Sequence, residues 1–386
     1  MSKIVFFNVP AYGHTNPTLN IVKTLVEKNH EVIYYSFDMF EDKIKATGAK
    51  YHSCDKYLNA SAASWVKDIA SDPGRFQLAI IDMSIKMRDD VLKELEMYKP
   101  DYIIADLFAI WGKLFARELG VTYVCSTTTF MVNKETKKYI KPSFKEIMHI
   151  VRAVPKVSKK SKEMKERGYN FKNIISVIQN NPEDITIVYT SKAIHPKNDE
   201  LKDNIIFVGS TLEVPEEPVR SNNRSAKKIY VSLGTVNNDA DEFYKNCVEA
   251  FKDMDAQVTI VIGKNKDTTR LSNSADNITI KDFVNQVDML RDCDLFISHA
   301  GMNSVHESLY FGVPLLFYPQ QSEQKMVAST ICEAGAGMLL KDNRAESIRA
   351  GVTEMLNNES YTNGAVKLGD TLRDAAENHR LYDFLK

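Results

Sequence analysis

One stretch, Asp282 to Gln324, constrains this chain more than any other: DFVNQVDMLRDCDLFISHAGMNSVHESLYFGVPLLFYPQQSEQ. Asp294 to Ser298 is a short apolar run of buried-strand type, His299 to Gly301 reads as a tight turn, and Asn303 to Phe311 has helical spacing. Gly312 followed by Pro314 stops that helix, and Leu315 to Tyr318 opens a second buried strand. The segment is therefore one strand-helix-strand unit of a parallel sheet. At such a unit the helix N-terminus faces the carboxyl edge of the sheet, where unpaired backbone N–H groups and the positive end of the dipole favour a phosphate. The side chains suit the same guest. His299, Asn303 and Ser304 can donate hydrogen bonds, Gly301 lets backbone approach closely, and Glu307 lies one turn on, where a carboxylate can accept from both hydroxyls of a ribose.

The rest of the chain alternates strand and helix in the same way. Lys3 to Val9 is a β-rich run ending at Pro10, Asn16-Pro17 reads as an N-cap with proline at the first helical position, and Glu31 to Ser36 is the next strand. The loop Pro10 to Thr15 lacks G-x-G-x-x-G, which argues against a dinucleotide cofactor, and it places His14 just outside the carboxyl end of the first strand, the edge where ligands bind. Asp101 to Ala105 is a buried strand closed by Asp106, which puts Asp106 at the edge that carries His14. Ser210 to Lys228 holds two prolines, Pro215 and Pro218, with mixed charge and no periodicity, and marks a domain boundary. The expected division is an N-terminal domain over 1–210, a linker over 211–228, and a second domain over 229–363 that restarts with the strand Ile229 to Leu233. A terminal helix over 364–386 follows.

Length fits two domains: 386 residues is long for a single core. A formal net charge of -1 gives no basic excess for nucleic acid. Five scattered cysteines without a C-x-x-C pair suggest neither a disulfide framework nor a zinc site, and fit reduced thiols in a cytoplasm. No apolar run approaches the ~18 residues of a membrane span, so neither export nor stable membrane insertion is expected. One local excess stands out. From Asn133 to Lys172 there are 13 Lys plus Arg against 4 Glu, read either as solvated helix faces or as a lip that attracts anionic substrates or a membrane surface.

The organising stretch resembles the nucleotide-sugar signature of the family 1, UDP-dependent glycosyltransferases. HAGMNSVHESLYFGVP followed by PQQSEQ is closest to the bacterial macrolide-type branch. The resemblance implies an α/β chain of GT-B fold, with two facing Rossmann-like doubly wound domains and a C-terminal helix that crosses back to the first. It also implies roles. G-H-T-N-P-T is similar to the catalytic histidine motif, making His14 the base that takes the acceptor proton, with Asp106 as its carboxylate partner; for Asp106 the plainer alternative is an N-cap of the following helix. Ser232, Gly234 and Thr235 at a strand end, with His299, Gly301, Asn303 and Ser304 at a helix start, would hold the departing diphosphate in place of a metal. Singly, Ser304 could be an ordinary cap and His299 a core histidine. Phe283, Val284 and Gln286 stand where the family stacks the uracil, pairs the base edge and approaches the ribose, although Phe replaces the usual Trp and Asn285 the usual Pro. Glu323-Gln324 matches the acid-glutamine pair that contacts the sugar, of glucose-preferring type, or else both residues simply open a helix.

These roles imply an inverting transfer of a hexose, glucose by the Gln324 pattern, from a UDP-sugar donor to a hydroxyl of a small hydrophobic acceptor such as a macrolide or phenolic. No cofactor and no metal are expected. The rivals are a lipid-acting glycosyltransferase at a membrane surface, a sugar-nucleotide epimerase of the same fold, and a non-catalytic nucleotide-sugar sensor. Segments Asn59 to Arg88 and Phe130 to Asn180 carry no readable motif.

Overall fold

The computed structural model describes residues 1–58, 61–62, 72–131, 136, 144–171, 177, 183–196, 201–212, 226–234, 240–263, 268–271, 275–377 and 379–386. Thr235 and most of the 211–228 segment lie outside them. Two parallel sheets form among the described residues. The first contains β1 (Lys3–Phe7), β2 (Glu31–Ser36), β3 (Lys50–Ser53), β4 (Tyr102–Asp106), β5 (Thr122–Thr127), β6 (Ile185–Val188) and β7 (Ile205–Phe207), in the order β3-β2-β1-β4-β5-β6-β7. The second contains β8 (Lys227–Ser232), β9 (Ala256–Val261), β10 (Ile278–Lys281), β11 (Leu295–Ser298), β12 (Leu315–Phe317) and β13 (Gly337–Leu339), in the order β10-β9-β8-β11-β12-β13. The central strands read as continuous apolar runs because helices cover both faces: Ile4 to Phe7 and Leu295 to Ser298 are all buried.

Both sheets share one topology. In each, the strand order reverses beside the first strand, between β1 and β4 and between β8 and β11. That reversal leaves a crevice at the carboxyl ends of the strands, the place where doubly wound sheets bind ligands. His14 follows β1 and Asp106 ends β4; Ser232 ends β8 and His299 follows β11. The two crevices are brought near each other by the Tyr12–Glu27 and Met302–Tyr310 helices, which touch across the gap.

Two expectations shift. Helix begins at Tyr12, so Asn16 is not its cap: Ala11 is the extended N-cap residue, its carbonyl accepts from the His14 and Thr15 amides at 3.0 Å each, and Pro17 lies inside the helix. The C-terminal segment is two helices, Glu359–Ala376 and Arg380–Phe384. The longer packs against Met302–Tyr310 of the second unit and touches the first unit through Thr371 and Leu372, while the short one docks on the first core. There Leu381 and Leu385 join the first core, while Ser2 Oγ and Tyr102 OH donate to the carbonyls of Leu385 and Phe384 at 2.9 and 3.2 Å. All five cysteines are free thiols, and no helix among the described residues is long and apolar enough to cross a membrane.

Candidate active site

His14 sits in the first turn of its helix, held from behind by Asn8, whose Nδ2 donates to the His14 carbonyl at 3.0 Å. Its Nδ1 lies 2.7 Å from Asp106 Oδ2 and 3.3 Å from Thr128 Oγ1. Asp106 is only 1% exposed, and its other oxygen accepts from the Phe108 amide at 2.9 Å. It is not the cap of the next helix, whose N-cap residue is Ala109. The carboxylate is fixed by backbone on one side and fixes the imidazole on the other: with Nδ1–H donating to Asp106, Nε2 is left as the basic nitrogen. Burial disfavours the imidazolium, but the charge and hydrogen bond of Asp106, with a smaller contribution from Glu323, outweigh it and raise the His14 pKa above its ordinary value.

An aromatic wall stands over this base. The Phe108 ring lies 5.6 Å from the His14 ring and 4.9 Å from that of Phe76, the latter edge-on. Neither phenylalanine nor Thr128 nor Asn8 figured among the candidates read from the sequence. Asn8 was detectable as a polar residue closing an apolar strand, and Phe108 by its position two residues beyond Asp106.

In the second unit, Ala300 takes a left-handed backbone (φ 68°) between β11 and the Met302–Tyr310 helix, a strained turn of the kind that collects at binding sites. It sets His299 between two glycines. A Cβ on Gly234 (φ 83°) or on Gly301 would come within 2.6 Å of the His299 ring, so both positions must stay bare for the ring to occupy the crevice. Burial pushes the His299 pKa down to about 4, which keeps the ring neutral, and its buried Nδ1 has no hydrogen-bond partner among the described residues. Asn303 and Ser304 occupy the first turn of the helix, capped by Gly301 without a side-chain bond, so its leading amides point into the crevice unshared.

Gln286 joins three elements. Its Nε2 donates to Ser304 Oγ at 3.0 Å and to Glu307 Oε2 at 2.5 Å, while its Oε1 accepts from Tyr230 OH at 3.3 Å. Burial raises the Glu307 pKa and the Gln286 bond partly restores it; one carboxylate oxygen is thereby oriented and the other is left to a ligand. Phe283 is 54% exposed, and Asn285 caps the Gln286–Arg291 helix by accepting from the Val287 amide at 3.1 Å. Val284 packs on the core beneath. Gln324 does open its helix, because its Oε1 accepts from the Gln320 and Gln321 amides at 2.8 and 3.1 Å. That leaves its NH2 group for a guest, beside exposed Glu323.

Residues 245–377 match the family model of the erythromycin biosynthesis protein CIII-like, C-terminal domain. The chain is 30% identical to the uncharacterized UDP-glucosyltransferase YdhE of Bacillus subtilis (strain 168), over 98% of this chain and 96% of that protein. It is 32% identical to the NDP-glycosyltransferase YjiC of Bacillus licheniformis, over 91% of this chain and 88% of the relative. Among solved structures, the glycosyltransferase of kitacinnamycin superposes with a TM-score of 0.85, covering 100% of this chain and 98% of that one at 21% identity. Two doubly wound units with their switch points turned to one cleft define the GT-B fold. The chain belongs to the family 1, UDP-dependent glycosyltransferases, of the macrolide-type branch.

Proposed function

We propose that the enzyme moves glucose from UDP-glucose to a hydroxyl of a small hydrophobic acceptor, with inversion and without a metal. The observation that carries this reading is the 2.7 Å pair of His14 Nδ1 and Asp106 Oδ2 at one switch point, across the cleft from the open helix end at His299. The acceptor O–H proton passes to His14 Nε2, and the oxygen attacks the anomeric carbon. The bond from that carbon to the diphosphate oxygen breaks, its electron pair leaving with UDP. A single in-line displacement inverts the centre and needs one base, which is what the first unit supplies.

The leaving diphosphate gains charge as the bond breaks. The leading amides of the Met302–Tyr310 helix, Ser304 Oγ and the neutral His299 ring are donors for it, together with Ser232 and Gly234 from the β8 end; Thr235, expected beside them from the sequence, lies outside the described residues. Phe283 offers its exposed face to the base, Glu307 its free oxygen to the ribose, and Gln324 its NH2 group to the hexose. The aromatic wall of Phe76 and Phe108 suits an apolar acceptor, and a glucosyl donor agrees with the name of the YdhE relative.

The test is an acceptor panel with UDP-glucose in EDTA, read by UDP release, product mass and the anomeric proton coupling. A β-glucoside formed only when acceptor is present is the expected result. UDP released without acceptor, an α-linked product, or activity lost to EDTA and restored by magnesium or manganese would each refute part of the proposal.

A further inference from the structure

The strongest unabsorbed feature lies on the Phe144–Glu166 helix, inside the basic segment. Four large apolar side chains stand in solvent there: Phe144 is 80% exposed, Ile147 43%, Val151 55% and Val154 55%. At 100° per residue these positions fall within an arc of about 80°, so they form one stripe rather than scattered residues. The helix's own buried side chains, Ala153, Val157 and Met164, lie on a different face, and that face packs on the Pro73–Tyr98 helix. The crossing is close, since a Cβ on Gly74 would come within 2.5 Å of the His149 carbonyl oxygen. The stripe is therefore left over after the helix has been docked. A surface helix normally shows a single apolar face.

Charge indicates what covers it. From Phe144 to Lys162 the only carboxylate is Glu146, against six Lys and Arg. Lys145, Arg152, Lys156 and Lys159 are exposed and occupy the sector next to the stripe; none of the four forms an ion pair among the described residues. By contrast Lys160 is spent on Asp82 and Glu163, and Lys162 on Glu166. An apolar stripe beside uncompensated cations is the pattern of a helix that lies in the interface of an anionic bilayer, with its apolar side chains below the headgroups and its cations among them. A protein partner would need an acidic, apolar groove of its own; a bilayer supplies both features over any footprint.

We propose that this face seats the enzyme on anionic membrane surfaces. The seat lies beside the acceptor side of the cleft: Gly74, under the helix, is two residues from Phe76 of the aromatic wall. Acceptors dissolved in the bilayer would thus be delivered to the enzyme from the membrane. The proposal goes beyond the assigned reaction and stands whether or not the donor is UDP-glucose.

Vesicle co-sedimentation of the full chain, without donor or acceptor, tests it independently of catalysis. Vesicles of phosphatidylcholine mixed with phosphatidylglycerol should bind the protein, and vesicles of phosphatidylcholine alone should not. Changing Lys145, Arg152, Lys156 and Lys159 together to Gln should lower the partition coefficient about a hundredfold, each cation near an anionic surface being worth roughly a factor of five before screening. Val151→Asp with Val154→Asp should lower it at least about tenfold. Ile147→Ser with Val151→Ser is the milder pair, and circular dichroism and melting temperature verify that each variant folds. No binding to the mixed vesicles, equal binding to both lipids, or full binding by either set of variants overturns the proposal. So does a concentration-dependent dimer that Val151→Asp with Val154→Asp abolishes, because the stripe would then be an interface between copies.

Discussion

Replacing Asp106 by Asn tests the base most sharply, because the two oxygens of Asp106 have different tasks. Oδ1 accepts from the Phe108 amide at 2.9 Å and Oδ2 faces His14 Nδ1 at 2.7 Å. The Phe108 N–H still needs an acceptor in the variant, so the amide oxygen stays there and the NH2 group turns to Nδ1. Nδ1 must then accept, the proton moves to Nε2, and the nitrogen that should take the acceptor proton becomes a donor. Reversing the amide would set NH2 against N–H in a site 1% exposed, at a cost of about 1 to 3 kcal/mol. Loss of the positioned base lowers kcat by roughly 10² to 10⁴. The pH profile supplies a second readout. In the parent, activity falls as pH drops through the raised His14 pKa, because the base becomes protonated. In Asp106→Asn burial acts on the ring without the opposing carboxylate, so the acid limb moves to lower pH while the plateau drops. The assay is UDP release against pH for both proteins. A rate within a few fold of the parent, or an acid limb that does not move, refutes the assignment.

His14→Ala should abolish transfer yet leave UDP affinity within about twofold, measured by calorimetry, since base and nucleotide sites are carried by different sheets. Glu307→Ala should weaken UDP binding by roughly tenfold to a hundredfold through loss of a charge-assisted bond, and should erase any preference for UDP over 2′-deoxy-UDP. His306, like His299, is held neutral with its pKa pushed down to about 4. The unfolded chain therefore binds more protons between pH 6.5 and 4, and stability is lost as pH falls through that window, by up to about 3 kcal/mol per histidine. Urea unfolding at several pH values should show that loss, and His306→Gln should flatten it. Gly209→Ala should lower kcat more than UDP affinity, because its φ is 65° and an added Cβ would come within 2.1 Å of the Leu372 carbonyl oxygen; equal effects on the two would exclude a role in placing the domains.

The donor side was legible because its chemistry is local in sequence. One strand, one turn and one helix carry His299, Gly301, Asn303, Ser304 and Glu307, and spacing alone puts them at one helix end. The acceptor side is built from residues far apart, such as Phe76, Phe108, Thr128 and the Phe144–Glu166 helix, whose proximity is a property of packing. The start of the first helix was misread because Asn16-Pro17 mimics a cap; Gly13, four residues before the proline, instead tolerates the missing hydrogen bond at an exposed position. The Pro73–Tyr98 helix went unread although Asp72-Pro73 is a true cap, with the Asp72 carboxylate accepting from the Gly74 and Arg75 amides at 3.0 Å each. The break after Ala376 has no glycine or proline to announce it.

A base on one sheet and a leaving-group site on another can cooperate only if something fixes the sheets together, and the same few residues serve both needs. His306 Nε2 lies 3.0 Å from Thr190 Oγ1 of the first unit, and it directly precedes Glu307 on the helix whose first turn carries Asn303 and Ser304. Behind it Ser191 Oγ meets Thr371 Oγ1 at 2.8 Å, and the Ser210 amide donates to the Leu372 carbonyl at 3.3 Å. Asn16 and Pro17 of the His14 helix line one cleft with Ser210, Asn303, His306 and Glu307. The helix proposed to receive the nucleotide is thus also the helix that touches the unit carrying His14. A nucleotide held as proposed by Glu307 and the leading amides would bear on an element already hydrogen-bonded across the gap, so any shift of that helix on binding would be passed to the unit that carries His14.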